Sequence, residues 1–313
     1  MRHHSTALNS TIILLVLPVM AVSLTAPGTA AVLAPWLVLF SVLVIGIPHG
    51  AIDHVMASEL YGLDSGWRHQ MLFYGGYLAL MLIVALLWLI SPVLGMMLFL
   101  GISMYHFGEA DMLDFLVDGA GNFAVWAASL ARGLLIIVLI VFSDLGTTVP
   151  VMASAMRVSE GLLYGVFPGQ AVSVGVVSVV YVLTLVVLQV NGVVGRPLAL
   201  AADTLVLTSM LWITGPLAGF ALYFALWHSL GHVREMQQFF TDRGKPMSLK
   251  VFYKKAAPFT LVSVGGLLML VFLWTAYEAP AEFLALMFVL ISVLTLPHMF
   301  IVNRMYGVKS QAA

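Results

Sequence analysis

The chain has no cysteine among its 313 residues, and that absence removes a good deal of chemistry. Disulfides, iron–sulfur clusters and thiolate-bound metals are excluded, so any transition metal must sit on His, Asp, Glu or Tyr. Charge is scarce as well. Asp, Glu, Lys and Arg make up 9% of the residues, where soluble domains carry about a quarter. With 62% hydrophobic residues, a soluble fold of this length lacks the polar atoms to cover its surface. A net charge of −1, without a basic face carrying stacking aromatics, leaves no footprint for nucleic acid. The apolar runs are long and continuous, without the alternation of a membrane barrel. The chain therefore reads as all-α, a polytopic bundle of membrane helices. No linker or low-complexity segment divides it, which predicts a single transmembrane domain over residues 1–313.

Runs near the ~20 apolar residues that a span needs cover 10–27, 32–57, 71–90, 93–112, 122–143, 167–190, 198–213, 216–240, 257–276 and 282–303. They predict about ten transmembrane helices (eight to ten), the first and seventh runs being the weakest. Gly28-Thr29-Ala30 after the first run also fits a signal-peptide cleavage site, but an uncleaved first helix is the reading adopted. Ten spans with the N-terminus inside satisfy the positive-inside rule. Arg2, Arg68, Arg196, the set Arg234, Arg243, Lys245, Lys250, Lys254 and Lys255, and then Arg304 and Lys309 fall inside. Only Arg157 falls outside, Arg132 lies within a span, and the outer loop near Glu278 and Glu282 is acidic. This orientation suits a multi-pass protein of the inner (cytoplasmic) membrane.

Ionisable residues inside spans are costly, usually face the bundle interior, and mark function. The stretch ALWHSLGHVREMQQFF places His228 and His232 four residues apart, on one helical face, where two imidazoles can chelate one metal ion. Comparable clusters recur in IPHGAIDH, MYHFGEAD and LPHMFIVNR. In the predicted topology His49, His106, His228 and His298 lie on spans that all run outside to inside, each past the middle of its segment. Parallel helices with ligands at matching depth can converge on one centre. Asp53, His54, Glu109 and Asp111 accompany the histidines, and Asp53, Glu109 and Glu235 are candidate acceptors for the second N–H of a metal-bound imidazole. Such a set serves iron or copper redox chemistry, zinc hydrolysis, haem ligation or a proton-coupled transport relay. The same-face spacing of His228 and His232 speaks against haem, whose axial ligands sit on opposite faces. With His3 and His4 assigned to a solvated tail, the seven histidines left are too few for a diiron desaturase, and His69 reads as a headgroup-level residue.

The motifs PHGAIDH, YHFGEAD, WHSLGHVREM and LPHMFIVNRMY, in this order, resemble the Brp/Blh family of β-carotene 15,15′-dioxygenases from about the second span to the last. The resemblance implies non-haem Fe(II) and O2 cleaving the central double bond of β-carotene to two all-trans retinal, with retinal commonly supplied to a rhodopsin. Matched residue by residue, it makes His49, His106, His228 and His232 the catalytic iron ligands. His54 and His298 sit in family-like motifs and are placed beside the metal, because four histidines leave up to two positions of an octahedron open. Asp53, Glu109, Asp111 and Glu235 are expected to hold ligand orientation from beside the site. Tyr74, Tyr105, Phe107, Tyr223, Trp227 and Met299 are candidates to line an apolar tunnel entered from membrane lipid. Gly50, Gly101, Gly108 and Gly231 are expected to let helices approach closely. The basic stretch 243–255 is expected to meet anionic lipid headgroups.

Overall fold

A computed structural model describes residues 10–63, 66–276 and 283–311. Its elements are helices: α1 (Ser10–Thr25), α2 (Pro27–Ser41), a π-helical segment (Val42–Gly46), α3 (Ile47–Ala51), α4 (Asp53–Tyr61), α5 (Trp67–Ile90), α6 (Pro92–Met112) and α7 (Asn122–Phe142). Next come α8 (Leu145–Met156), α9 (Glu160–Val166), α10 (Gln170–Val190), α11 (Pro197–Leu222), a second π-helical segment (Tyr223–Ser229), α12 (Leu230–Asp242), α13 (Leu249–Ala276) and α14 (Phe283–Gln311). Among the described residues, 8 helices are long and apolar enough to cross a membrane, so the chain is a multi-pass helical membrane protein. Arg2, His3, His4, Glu278 and Glu282 lie outside the described residues.

The expected runs map onto these helices with three differences. The first run forms an apolar helix shorter than a span, and Leu145–Met156 is a short apolar helix outside all of the expected runs. The seventh and eighth runs join in one stretch, Pro197–Asp242, of 46 residues. Gly215 breaks that stretch, with φ 73° and ψ −178°, backbone that L-residues rarely adopt. Pro216 comes directly after it and has no N–H to continue the ladder. Prolines also open α2, α6 and α11, where the first-turn N–H lacks a helical partner anyway. Inside the helices, hydroxyls bond their own backbone one turn back. Ser129 donates to Val125, Thr214 to Met210 and Thr295 to Ile291 at 2.7–2.8 Å. A polar side chain satisfied in this way is cheap to bury.

The chain forms two compact units, each assembled from separated stretches. The first takes the described residues through Gly46, Ser103–Val149 and Tyr164–Glu235. Within it α10 packs on α7, α11 on α1, α2 and α7, and the two π segments touch each other. The loops after α6 and α10 meet in an antiparallel bridge between Leu116 and Val194, closed over buried Met112, Phe115, Ala128 and Leu188. The second unit takes Ile47–Ile102, Pro150–Leu163 and the described residues from Met236. There α13 lies on α3, and α14 on α4 and α5. Trp88 Nε1–H donates to Ser292 Oγ at 2.9 Å, and Lys245 pairs with Glu59 at 2.8 Å.

The helix that carries His106 crosses α7 at backbone contact. A Cβ on Gly108 would stand 1.7 Å from the Ser129 carbonyl oxygen, and one on Gly133 would stand 1.6 Å from that of Met104. The expectation of close approach is met at Gly108, while Gly101 faces open space and does no such work. Gly108→Ala or Gly133→Ala must move backbone, so each should cost at least the roughly 1–3 kcal/mol of overpacking. Gly101→Ala meets no neighbour and should be neutral or raise stability by up to about 1 kcal/mol. Thermal unfolding in detergent checks this, and an unchanged Tm for Gly108→Ala would mean that the two helices do not cross at this depth.

Candidate metal centre

Three of the expected histidines come together in the first unit. His106, His228 and His232 are 1%, 2% and 1% exposed. One nitrogen from each lies within 4.8 Å of the others. Ring centroids are 4.8 Å apart for His106 and His228, 5.2 Å for His106 and His232, and 4.6 Å for His228 and His232. Nitrogens bound to one ion at about 2 Å each stand at most about 4 Å apart. Small ring rotations therefore bring the three into range. The donor set suits iron: all nitrogen, no thiolate, and coordination positions left over.

Local backbone explains the convergence. His106 sits on α6, held against α7 by the Gly108 and Gly133 contacts. His228 lies in the π segment Tyr223–Ser229, which ends with Leu230 N–H bonding back to the Ala225 carbonyl, five residues earlier. His232 lies just beyond, in regular α12. π segments are locally costly and occur often at functional sites. The other π segment, Val42–Gly46, touches this one, and a Cβ on Gly46 would stand 2.3 Å from Phe224. Phe107 packs edge-on against Tyr223 and His228, with centroids 5.2 and 4.7 Å away. It forms an apolar wall beside the imidazoles.

The carboxylates of this unit divide into two groups. Glu109, one turn from His106, accepts from Tyr105 Oη–H at 2.7 Å and lies close enough to Glu235 for their charges to interact. Asp111 faces elsewhere. It accepts from Arg132 Nε at 3.1 Å and from Tyr223 Oη–H at 3.4 Å. Trp227 Nε1–H donates to Asp203 Oδ1 at 3.1 Å, and Arg132 Nη2 bonds the other oxygen of Asp203. Tyr223 and Trp227, expected to line a tunnel, are thus fully buried with their polar ends committed to carboxylates. Sequence reasoning marks Arg132 only as a charge inside a span and misses Asp203. The signal is there in both cases, since each is an ionisable residue in an apolar run.

His49 and His298 lie in the second unit, with rings edge-on at 4.8 Å, so the two Pro-His dipeptides of the sequence meet there. His298 Nδ1–H donates to Asp53 at 2.9 Å to Oδ1 and 3.1 Å to Oδ2, and Tyr77 Oη–H donates to Oδ2 at 2.9 Å. A carboxylate acceptor at Nδ1 fixes the tautomer, placing the imidazole lone pair on Nε2. Tyr77 is a partner that sequence reasoning misses, one of two tyrosines in its span. His54 takes no part: its Nδ1–H donates to the Ala51 carbonyl at 3.1 Å and its ring lies 4.6 Å from Phe259. Tyr74 stacks on that same Phe259, and Met299 is half-buried on α14.

The family model for beta-carotene 15,15'-dioxygenase matches residues 40–306. A curated relative, the probable beta-carotene 15,15'-dioxygenase Blh of Halobacterium salinarum, is 31% identical over 291 residues, covering 85% of this chain and 82% of its own. No solved structure matches the chain. The matched span includes every buried histidine described above, on both units. This chain belongs to the β-carotene 15,15′-dioxygenase family and is an enzyme of that class.

Proposed function

We propose that the chain uses Fe(II) and O2 to cleave the central 15,15′ double bond of β-carotene, releasing two molecules of all-trans retinal in the cytoplasmic membrane. The observation that carries this reading is the buried meeting of His106, His228 and His232 in a member of this family. His49 is the proposed fourth ligand, on the strength of its PHGAIDH motif. Iron(II) on imidazoles supplies the one-electron exchange with O2 that a closed-shell polyene lacks. Both oxygen atoms leave in the two aldehydes, so no organic cosubstrate is needed.

The rest of the work belongs to the chain's own residues. Phe107 excludes water from the face of His228 and offers an apolar surface to a polyene. Tyr105 holds Glu109 one turn from His106, where the carboxylate can orient an imidazole N–H. Asp53, itself held by Tyr77, fixes His298, whose ring braces that of His49 edge-on. Tyr74 and Met299 remain proposed lining residues. A substrate that dissolves in lipid reaches such a site without crossing water, which suits a centre built within membrane helices.

The deciding experiment supplies β-carotene to purified protein under oxygen, with and without Fe(II). Iron-dependent formation of about two retinals per β-carotene, the ratio set by symmetric cleavage at an open iron site, supports the reading. Unequal apocarotenal products or no consumption by iron-loaded protein would overturn it. His228→Ala and His232→Ala should each lose bound iron and activity together; full iron occupancy in either variant would remove that residue from the ligand set. Asp53→Asn loosens His298, which braces the proposed ligand His49. It should weaken iron binding by up to about 10-fold, the low end for a carboxylate bonded directly to a ligand. Unaltered affinity would leave Asp53 a packing residue only.

A further inference from the structure

Arg132 is 0% exposed inside α7, and its guanidinium hydrogen-bonds four other side chains. Its Nε donates to Asp111, Nη1 to Thr204 Oγ1 at 2.9 Å and Tyr181 Oη at 3.3 Å, and Nη2 to Asp203. The two carboxylates reach past the arginine to the π segment that carries His228. Asp111 accepts from Tyr223, the first residue of that segment, and Asp203 from Trp227, the residue before His228. Asp111 also lies five residues after His106 on the same helix. One guanidinium therefore links the helix of His106 to two residues of the π segment, its first and the one before His228.

We propose that Arg132 is a positioning residue for the histidine triad: through Asp111 and Asp203 it locks the register of the Tyr223–Ser229 π segment, and so the direction of His228. The inference rests on the triad being a metal site. The physical need is specific. A π turn holds one residue more than an α turn, and relaxing it by one residue would rotate the downstream helix by about 100°. That rotation would turn His228 and His232 relative to one another and break their joint approach to His106. Tyr223 and Trp227, one turn apart, are two points at which side-chain bonds resist it. The carboxylates that hold them stay in place in an apolar interior because one arginine forks between them. Lysine has one charge but no fork, so it cannot hold both.

The test titrates metal-free protein with Co(II), reading the dissociation constant and the visible ligand-field bands, alongside Tm. Arg132→Lys and Trp227→Phe should each weaken Co(II) binding about 10-fold or more and shift the bands. Tyr181→Phe cuts an Arg132 bond that leads to Thr204 rather than to the π segment, and should leave both readouts unchanged. Leu207→Ala, in the buried core of α11, should lower Tm without moving the bands. Wild-type affinity and spectrum in Trp227→Phe and Arg132→Lys, whatever their Tm, would overturn the proposal and leave the network a helix tie. If Arg132→Lys does not fold, Trp227→Phe decides alone. Wild-type protein that takes up neither Co(II) nor Fe(II) would instead refute the metal centre itself, and this inference with it.

Discussion

A buried ionised group in a membrane helix has no water to fall back on, so its counter-charge and its hydrogen bonds must come from other helices. Arg132 shows the constraint at its strongest: an arginine with no exposed surface draws partners from α6, α10 and α11. Two acids alone would be intolerable there, and the arginine alone equally so. Together they form a network that joins the elements bearing His106 and His228. Ser129 and Thr214 in the same helices escape the constraint by bonding one turn back, and so they tie nothing together. The helix-to-helix bonds of the first unit thus concentrate on a few costly residues.

The same logic explains why the histidines lie where the backbone is least regular. Regular α-helix satisfies every internal N–H and C=O, which is why it spans membranes. A π segment keeps that satisfaction at a local cost while turning the next stretch of helix about its axis. The segment Tyr223–Ser229 uses that turn to bring His228 and His232 together with His106. At Gly108 and Gly133 the absence of side chains lets α6 and α7 meet at backbone distance, which sets how far His106 projects. The meeting of the three imidazoles depends on irregular backbone and missing side chains as much as on the histidines themselves.

The second unit presents a different polar assembly. Asp53 gathers Tyr77 and His298, and His298 stands edge-on to His49. A carboxylate that fixes an imidazole tautomer is a recurrent means of preparing a nitrogen for its task. Here it is anchored by a tyrosine from α5, so four helices, α3, α4, α5 and α14, contribute to one small cluster. Family membership covers both assemblies, since residues 40–306 include all of these positions.

Composition and hydropathy determined that the chain is an all-helical membrane protein, because a run of apolar residues long enough to cross a bilayer has no other way to satisfy its backbone. Four ordered histidine motifs carried the family, and the i, i+4 spacing of His228 and His232 placed those two on one face. Periodicity could not show the π turn, since an inserted residue in the hydrogen-bond ladder leaves no mark on an already apolar stretch. Nor could it tell Asp111 from Glu109. Both are acids within two turns of His106, yet one faces Arg132 and the other Tyr105. Tyr223 and Trp227 read as tunnel aromatics for the same reason, because their N–H and O–H partners lie on other helices. Which side chains meet across helices is set by crossing points such as Gly108 against Ser129. Only the tertiary structure decides those, since they depend on pairs of residues far apart in the chain.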